Sequence, residues 1–355
     1  MDLLGKLEAQ ARESLALAHY DYFAGGAGDE QTLHENAEAW RRVWIRPRVM
    51  VDVSTIDISC ELLGRRLALP VLLAPMATQR LLHPGGEPAA ARAAGAAGTV
   101  YCLSTRATAD LAEVAAAVSS SKAATGPLWF QLYVDRDRER TDRVLARAAE
   151  HGFEAVLLTV DLPVAGRRER ERRHLDFPFP EGVALVSHLG HELERHQTPI
   201  GEWDSTLTWP DVAWVRDASG LPVVVKGILR AEDADAAIDA GADAIVVSNH
   251  GGRQIDGCVP TAVALREVAS AVAGRVPLLV DGGIRDGADV VRALALGADA
   301  VLIGRPYAWG LATGGAAGVR AVIDAFADDL ARALALAGCP ALDAIDGRCV
   351  KLAGW

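Results

Sequence analysis

Ala240-Gly241-Ala242-Asp243-Ala244-Ile245-Val246-Val247-Ser248-Asn249-His250-Gly251-Gly252-Arg253-Gln254 holds, in order, the end of a helix, a buried strand and a polar turn. The run 244–248 shows no apolar–polar alternation, which fits a strand covered on both faces, as in a parallel sheet. Gly241 suits the left-handed terminus of the Ala-rich helix before it. The same helix-to-strand junction returns at Leu296-Gly297-Ala298-Asp299-Ala300, so the chain reads as a repeated unit.

Working outward, equivalent apolar runs lie at 71–74, 100–103, 128–131, 155–160, 222–226, 277–281 and 300–304, which with 244–248 makes eight. Helical spacing fills 108–118, 138–150, 231–240, 261–273 and 288–296 between them. Eight strand–helix units predict an α/β protein, a closed (β/α)8 TIM barrel. The 355 residues exceed a bare barrel of about 250. The excess is assigned to a helical N-terminal extension (1–70) before the barrel (71–340), a long loop after the fourth strand (166–209) and a C-terminal tail (341–355), all in a single domain.

A net charge of −11 argues against a nucleic-acid surface or an anionic-membrane anchor. The five cysteines (Cys60, Cys102, Cys258, Cys339 and Cys349) are odd in number and lack metal-ligand spacing, so neither a disulfide framework nor a zinc site is expected. No apolar secretory segment and no membrane span is read, so a cytoplasmic enzyme is expected. The charge run Arg167-Arg168-Glu169-Arg170-Glu171-Arg172-Arg173 reads mainly as a solvated loop, with one arginine at its base a candidate for function.

Barrels carry their chemistry at the carboxyl ends of the strands. Those ends here are Gln131 and Tyr133, Asp161, Lys226, His250 and Arg253, Asp281, and Arg305. A lone histidine there would most often cap its strand, but a base beside arginines at neighbouring strand ends points to a cleft that handles an anion. Asp281-Gly282-Gly283-Ile284-Arg285 and Gly304-Arg305-Pro306 follow the last two strands, where barrels build phosphate sites from backbone N–H groups and a helix N-terminus.

Ordered motifs run along nearly the whole chain: Tyr20-Asp21-Tyr22-Phe23-Ala24-Gly25-Gly26, Arg46-Pro47-Arg48, Ala74-Pro75-Met76-Ala77, Gln131-Leu132-Tyr133, Thr159-Val160-Asp161-Leu162-Pro163, Gly166-Arg167-Arg168, Val225-Lys226-Gly227, the 248–254 turn and the 281–285 turn. Together they resemble the FMN-dependent L-2-hydroxy acid oxidases and dehydrogenases, a family that includes glycolate oxidase, lactate oxidase and mandelate dehydrogenase. The resemblance implies FMN as cofactor and oxidation of an L-2-hydroxy acid to a 2-oxo acid. It implies His250 as the base, Asp161 as the group that stabilises its imidazolium and raises its proton affinity, and Arg253 with Tyr22 as the carboxylate clamp. It also implies Tyr133 at the substrate oxygen, Arg168 as a further positive group, and Lys226 beside the flavin N1–C2 edge. Around the flavin it places Ala77, Ser104, Gln131, Thr159, Ser248, Asp281, Gly283, Arg285, Gly304 and Arg305, the last five near the phosphate. Tyr22 belongs to the extension, which should therefore fold over the barrel mouth.

The Pro-x-Ala pattern at Ala77 favours molecular oxygen as acceptor, giving H2O2, with another acceptor as the alternative. Hydride and carbanion routes need the same base and clamp, and the residues do not separate them. Competing readings are an FMN-barrel isomerase or synthase, which would have little reason to keep His250, Arg253, Asp161 and Tyr22 together, and a non-enzymatic scaffold. Family habit implies a homo-oligomer, tetramer or octamer. One departure stands out: Arg106 occupies a position that is tryptophan in glycolate-type relatives. It either selects a substrate with a second acidic or polar group or turns to solvent.

Overall fold

The computed structural model describes residues 2–120, 126–174, 179–186 and 203–353. Eight parallel strands, β1 (Val71–Leu73), β2 (Tyr101–Ser104), β3 (Leu128–Leu132), β4 (Ala155–Thr159), β5 (Val223–Ile228), β6 (Ala244–Val247), β7 (Leu278–Val280) and β8 (Ala300–Ile303), close into a barrel in the order β7-β8-β1-β2-β3-β4-β5-β6. The fold is thus a TIM barrel. The described helices are α1 (Asp2–Ser14), α2 (Leu17–Ala24), α3 (Gln31–Arg41), α4 (Gly86–Ala96), α5 (Leu111–Ser119), α6 (Arg138–Glu150), α7 (Glu169–Arg172), α8 (Pro210–Ser219), α9 (Ala231–Asp239), α10 (Thr261–Val272), α11 (Gly287–Ala295) and α12 (Arg305–Ala337).

Successive strand residues face opposite sides. Leu72, Cys102, Trp129, Leu157, Val224 and Val246 meet inside the barrel, whereas Leu73, Leu103, Phe130, Leu158, Val225 and Val247 pack with the helices in the outer core. Both faces are therefore apolar, which is why the runs show no alternation. A short hairpin (Cys60–Leu62 with Arg65–Leu67) lies beneath the barrel, and its Leu62 and Leu67 join the interior cluster. The extension, expected to be helical over 1–70, thus also carries strands.

The boundaries differ from expectation where side chains intervene. The helix read over 108–118 starts at Leu111, because Asp110 caps it by accepting from Ala112 N, while the Thr108 hydroxyl donates to buried Glu87. Strand β5 runs on to Ile228. The segment read as one irregular loop over 166–209 contains α7, and its residues 175–178 and 187–202 lie outside the described residues. Helix α12 breaks at Gly314–Gly315. The stretch read as a tail supplies Val350–Leu352, which pairs antiparallel with Val43–Ile45 of the extension. No described helix is long and apolar enough to cross a membrane.

The extension folds over the carboxyl end of the barrel, as Tyr22 required. Trp40 is fully buried and donates its indole N–H to Gly282 O at 2.8 Å. Asn36 and Asn249, both buried, exchange side-chain hydrogen bonds at 2.9 and 2.8 Å, and Asn36 Oδ1 also accepts from Thr261 N. Gly283 has φ +81°, and a Cβ there would lie 2.2 Å from Asn36 O, so only glycine permits this approach. Replacing Asn36 by leucine leaves buried donors and acceptors unpaired, at about 1–3 kcal/mol each. Urea denaturation of Asn36→Leu is expected to show a stability loss of at least that size, and a loss within error would show that the asparagine pair does not fasten the extension.

Candidate active site

The two-residue step that fills the barrel interior continues past its apolar layers. It carries Ser104, Gln131, Thr159, Lys226, Ser248 and Asp281 to the inner side of the carboxyl rim, where all six are buried. Ser104 Oγ donates to Gln131 Oε1 at 3.2 Å and Gln131 Nε2 to Thr159 Oγ1 at 3.1 Å, forming a polar ladder across β2, β3 and β4. Lys226 Nζ lies 2.7 Å from Ser248 Oγ and 3.2 Å from Asp281 Oδ2. Burial works against its charge, but Asp281 and Asp161 more than restore it, and its pKa sits above the ordinary lysine value.

After β6 the backbone enters the left-handed region for three residues, at φ +59° for His250, +65° for Gly251 and +74° for Gly252. A non-glycine residue held there costs about 1–3 kcal/mol. The turn is secured by Ser248 Oγ, which accepts from His250 N at 3.0 Å, and by Asn249 Oδ1, which accepts from Gly252 N at 3.1 Å. This puts the imidazole between two other strand ends, with Nδ1 2.8 Å from Asp161 Oδ1 and Nε2 3.2 Å from Tyr133 Oη.

Burial opposes ionisation of Asp161, yet His250 and Lys226 hold its carboxyl below the usual range. An ionised Asp161 only accepts, so Nδ1 carries the proton and Nε2 keeps its lone pair toward Tyr133 and the cavity. Asp161 was expected to raise the proton affinity of His250, and it does pull that way. Burial, aided by Lys226 and Arg168, outweighs it, and the imidazole pKa is lowered from 6.5. The histidine is therefore a neutral base at neutral pH. Burial raises the Tyr133 hydroxyl above its usual value, so it stays protonated.

Arg253 and Arg168 meet beside this group. Arg253 Nη1 donates to the carbonyls of Tyr22 (2.7 Å) and Gly25 (2.8 Å), Nη2 donates to Glu171 Oε1 (2.8 Å), and the guanidinium stacks 5.2 Å over the Tyr22 ring. Arg168 Nη1 reaches the same Glu171 oxygen at 3.3 Å and its Nε donates to Arg253 O at 3.1 Å. Gly166 lets this strap lie close, since a Cβ there would fall 2.3 Å from Arg253 O. The charge run thus divides. Arg168 and Glu171 turn inward and Arg170 pairs with Glu30 at 2.7 Å, while Arg167 and Arg172 face solvent. The Glu171 contact was missed because the run looks solvated, although its position three residues after Arg168 was a usable signal.

At the β7–β8 end, Arg285 and Arg305 are half-buried. Among the described residues Arg305 donates only to carbonyls, those of Phe23, Gly251 and Gly25, and Arg285 Nη1 donates to its neighbour's carbonyl. Burial and repulsion from Arg253 and Arg285 push the Arg305 pKa down to about 9. Half-buried cations with no carboxylate partner among the described residues, beside the glycine turns at Gly283 and Gly304, suit an anion.

One cavity joins these parts. It is lined by Tyr22, Ala77, Ser104, Arg106, Tyr133, Thr159, Arg168, Lys226, His250, Arg253, Asp281, Gly283, Arg285, Gly304 and Arg305. Of the residues expected at the site, Gln131, Asp161 and Ser248 stand behind this wall and hold its members in place. Trp203, Leu162 and Met76 also line it and were not anticipated; Trp203 packs on Tyr133 at 5.0 Å between ring centroids. The donor set fits FMN. The ladder and Lys226 could offer hydrogen bonds and a positive charge to a flavin edge, Asp281 Oδ1 is buried without a partner among the described residues, and the guanidinium groups of Arg285 and Arg305 suit a phosphate.

Comparison with known proteins agrees with this fit. The chain is 46% identical to an L-lactate oxidase of Nostoc sp. (strain PCC 7120 / SAG 25.82 / UTEX 2576), covering 97% of this chain and 96% of that one. It is 43% identical to glycolate oxidase 3 of Arabidopsis thaliana, covering 97% and 94%. A mandelate oxidase solved with benzoyl-formic acid superposes with a TM-score of 0.88 at 44% identity, over 98% of this chain and 97% of that one. Residues 11–352 match the family model described as FMN-dependent dehydrogenase, and with these identities over nearly the whole chain this establishes that the chain belongs to the FMN-dependent dehydrogenase family.

Proposed function

We propose that this protein oxidises an L-2-hydroxy acid to the corresponding 2-oxo acid and passes the two electrons to molecular oxygen, which leaves as H2O2. The observation that carries this reading is a neutral imidazole, backed by a carboxylate and facing a cavity edged with guanidinium groups. Bound FMN supplies the two-electron acceptor. Residues of the chain do the rest. Nε2 of His250 takes the substrate's proton, and Asp161, 2.8 Å from Nδ1, stabilises the imidazolium that results. Tyr133 donates to the substrate oxygen. A substrate carboxylate meets Arg253 at Nε and by sharing or displacing Glu171 at Nη2, with Tyr22 and Arg168 completing the anion site. Lys226 offers its charge to the flavin edge and Arg285 and Arg305 hold the phosphate.

The names of similar proteins as oxidases support oxygen as acceptor. We also propose a cytoplasmic homo-oligomer. All five cysteines are free, as suits a reducing compartment, and Val49 and Met50, 83% and 100% exposed, offer an apolar contact for another copy.

Three measurements test the site. In His250→Ala, anaerobic bleaching of the bound flavin by substrate should slow by about 10²–10⁴-fold while flavin content is kept, since a positioned base contributes that much; near-normal bleaching removes the histidine from this role. Because the base must be neutral, kcat/KM should fall only as pH drops through a pKa below 6.5. Removing the negative charge in Asp161→Asn should move this acid limb to still lower pH and slow the reaction, and a shift upward would contradict the pairing. In Arg253→Lys, binding of the 2-oxo acid product, read by titration calorimetry, should weaken, because an ammonium cannot reproduce the planar fork. Unchanged affinity would place the carboxylate elsewhere.

A further inference from the structure

The family relatives act, by name, on lactate, glycolate and mandelate at closely similar identities, so overall likeness does not specify the substrate side chain. The cavity wall does. Arg106 follows β2, and its backbone is held on both sides: its N–H donates to Ser104 Oγ at 3.1 Å and its carbonyl accepts from Thr78 N at 3.0 Å. Its side chain lines the same cavity as His250, Tyr133 and Arg168, and its Nε is buried with no hydrogen-bond partner. A buried Nε on a half-buried side chain that lines the cavity argues against one turned wholly to solvent.

The other cations of this wall all have acceptors among the described residues, acids for three of them and backbone carbonyls for the two read above as phosphate ligands. Lys226 pairs with Asp281, Arg168 and Arg253 share Glu171, and Arg285 and Arg305 donate to carbonyls. Among the described residues the guanidinium of Arg106 meets no acid and no acceptor. A charged group partly removed from water without a partner is unfavourable, and a ligand carboxylate would relieve it through a charge-assisted hydrogen bond. Arg253 and Arg168 already provide for the carboxylate next to the hydroxyl-bearing carbon, so a further cation on the same wall serves a second anionic group.

We propose that Arg106 is a specificity-determining residue and that the substrate is an L-2-hydroxy acid whose side chain ends in a second carboxylate. The proposal rests on the 2-hydroxy acid reading above. The test uses the FMN-loaded protein, anaerobic flavin bleaching, and (S)-2-hydroxy dicarboxylic acids of four and five carbons, each paired with the monocarboxylic acid of the same carbon count. The wild type should prefer the dicarboxylic member. In Arg106→Leu the dicarboxylic-to-monocarboxylic ratio of kcat/KM should fall by about ten- to a hundred-fold, the worth of one charge-assisted hydrogen bond, and Arg106→Lys should recover part of it. The dissociation constant of the 2-oxo dicarboxylic product, by titration calorimetry, should rise by a similar factor in the leucine variant.

A wild-type preference for the monocarboxylic acid, or a ratio unmoved by Arg106→Leu, overturns the proposal and leaves the 2-hydroxy acid reading standing. Failure of every monocarboxylic and dicarboxylic acid to bleach the wild-type flavin overturns both.

Discussion

The constraint on which this molecule depends is the two-residue period of a strand in a closed sheet. Once Leu72, Cys102, Trp129, Leu157, Val224 and Val246 are committed to the interior, the residues two steps further on must face the same axis. At the carboxyl rim those residues are polar. The apolar layers thus act as an alignment device for Ser104, Gln131, Thr159, Lys226 and Ser248, whose hydrogen bonds and charges would be costly to bury without the partners that neighbouring strands bring. A slip of one residue in any strand would turn its rim group into the helix layer and put an apolar side chain in the cleft.

On that rim the chain concentrates positive charge, although its net charge is −11. Desolvation disfavours the charge of Arg253, Arg285 and Arg305, neighbouring arginines add repulsion at Arg253 and Arg305, and backbone carbonyls of the extension accept from Arg253 and Arg305. The extension therefore does two jobs. Its buried Trp40 and Asn36 fasten it to the barrel, and its carbonyls at Tyr22, Phe23 and Gly25 orient the guanidinium groups.

Much of this was legible in the sequence, and for identifiable reasons. Strands buried on both faces leave unbroken apolar runs, and the end of each run names the rim residue, so the barrel, Lys226, His250 and Asp281 could be read directly. Contacts between residues far apart in sequence could not. Nothing near Asn36 points to Asn249, and nothing in a charge run separates Glu171, which bridges two inward arginines, from Glu169, which pairs with the solvent-facing Arg167 and Arg172. The net effect on His250 was also out of reach, because it depends on how far burial outweighs Asp161, a quantity set by packing. The backbone of His250 is similar: its neighbours Gly251 and Gly252 announce a tight turn, but not that the histidine itself occupies the left-handed region.

The hairpin beneath the barrel bears on traffic. With Leu62 and Leu67 wedged into the amino-terminal opening, the barrel is a cup rather than a pipe. Together with the packed interior layers these leucines close the axis at that end, so among the described residues the cavity is reached from the carboxyl rim. A ligand that enters there must leave from the same side, which ties the departure of one molecule to the admission of the next.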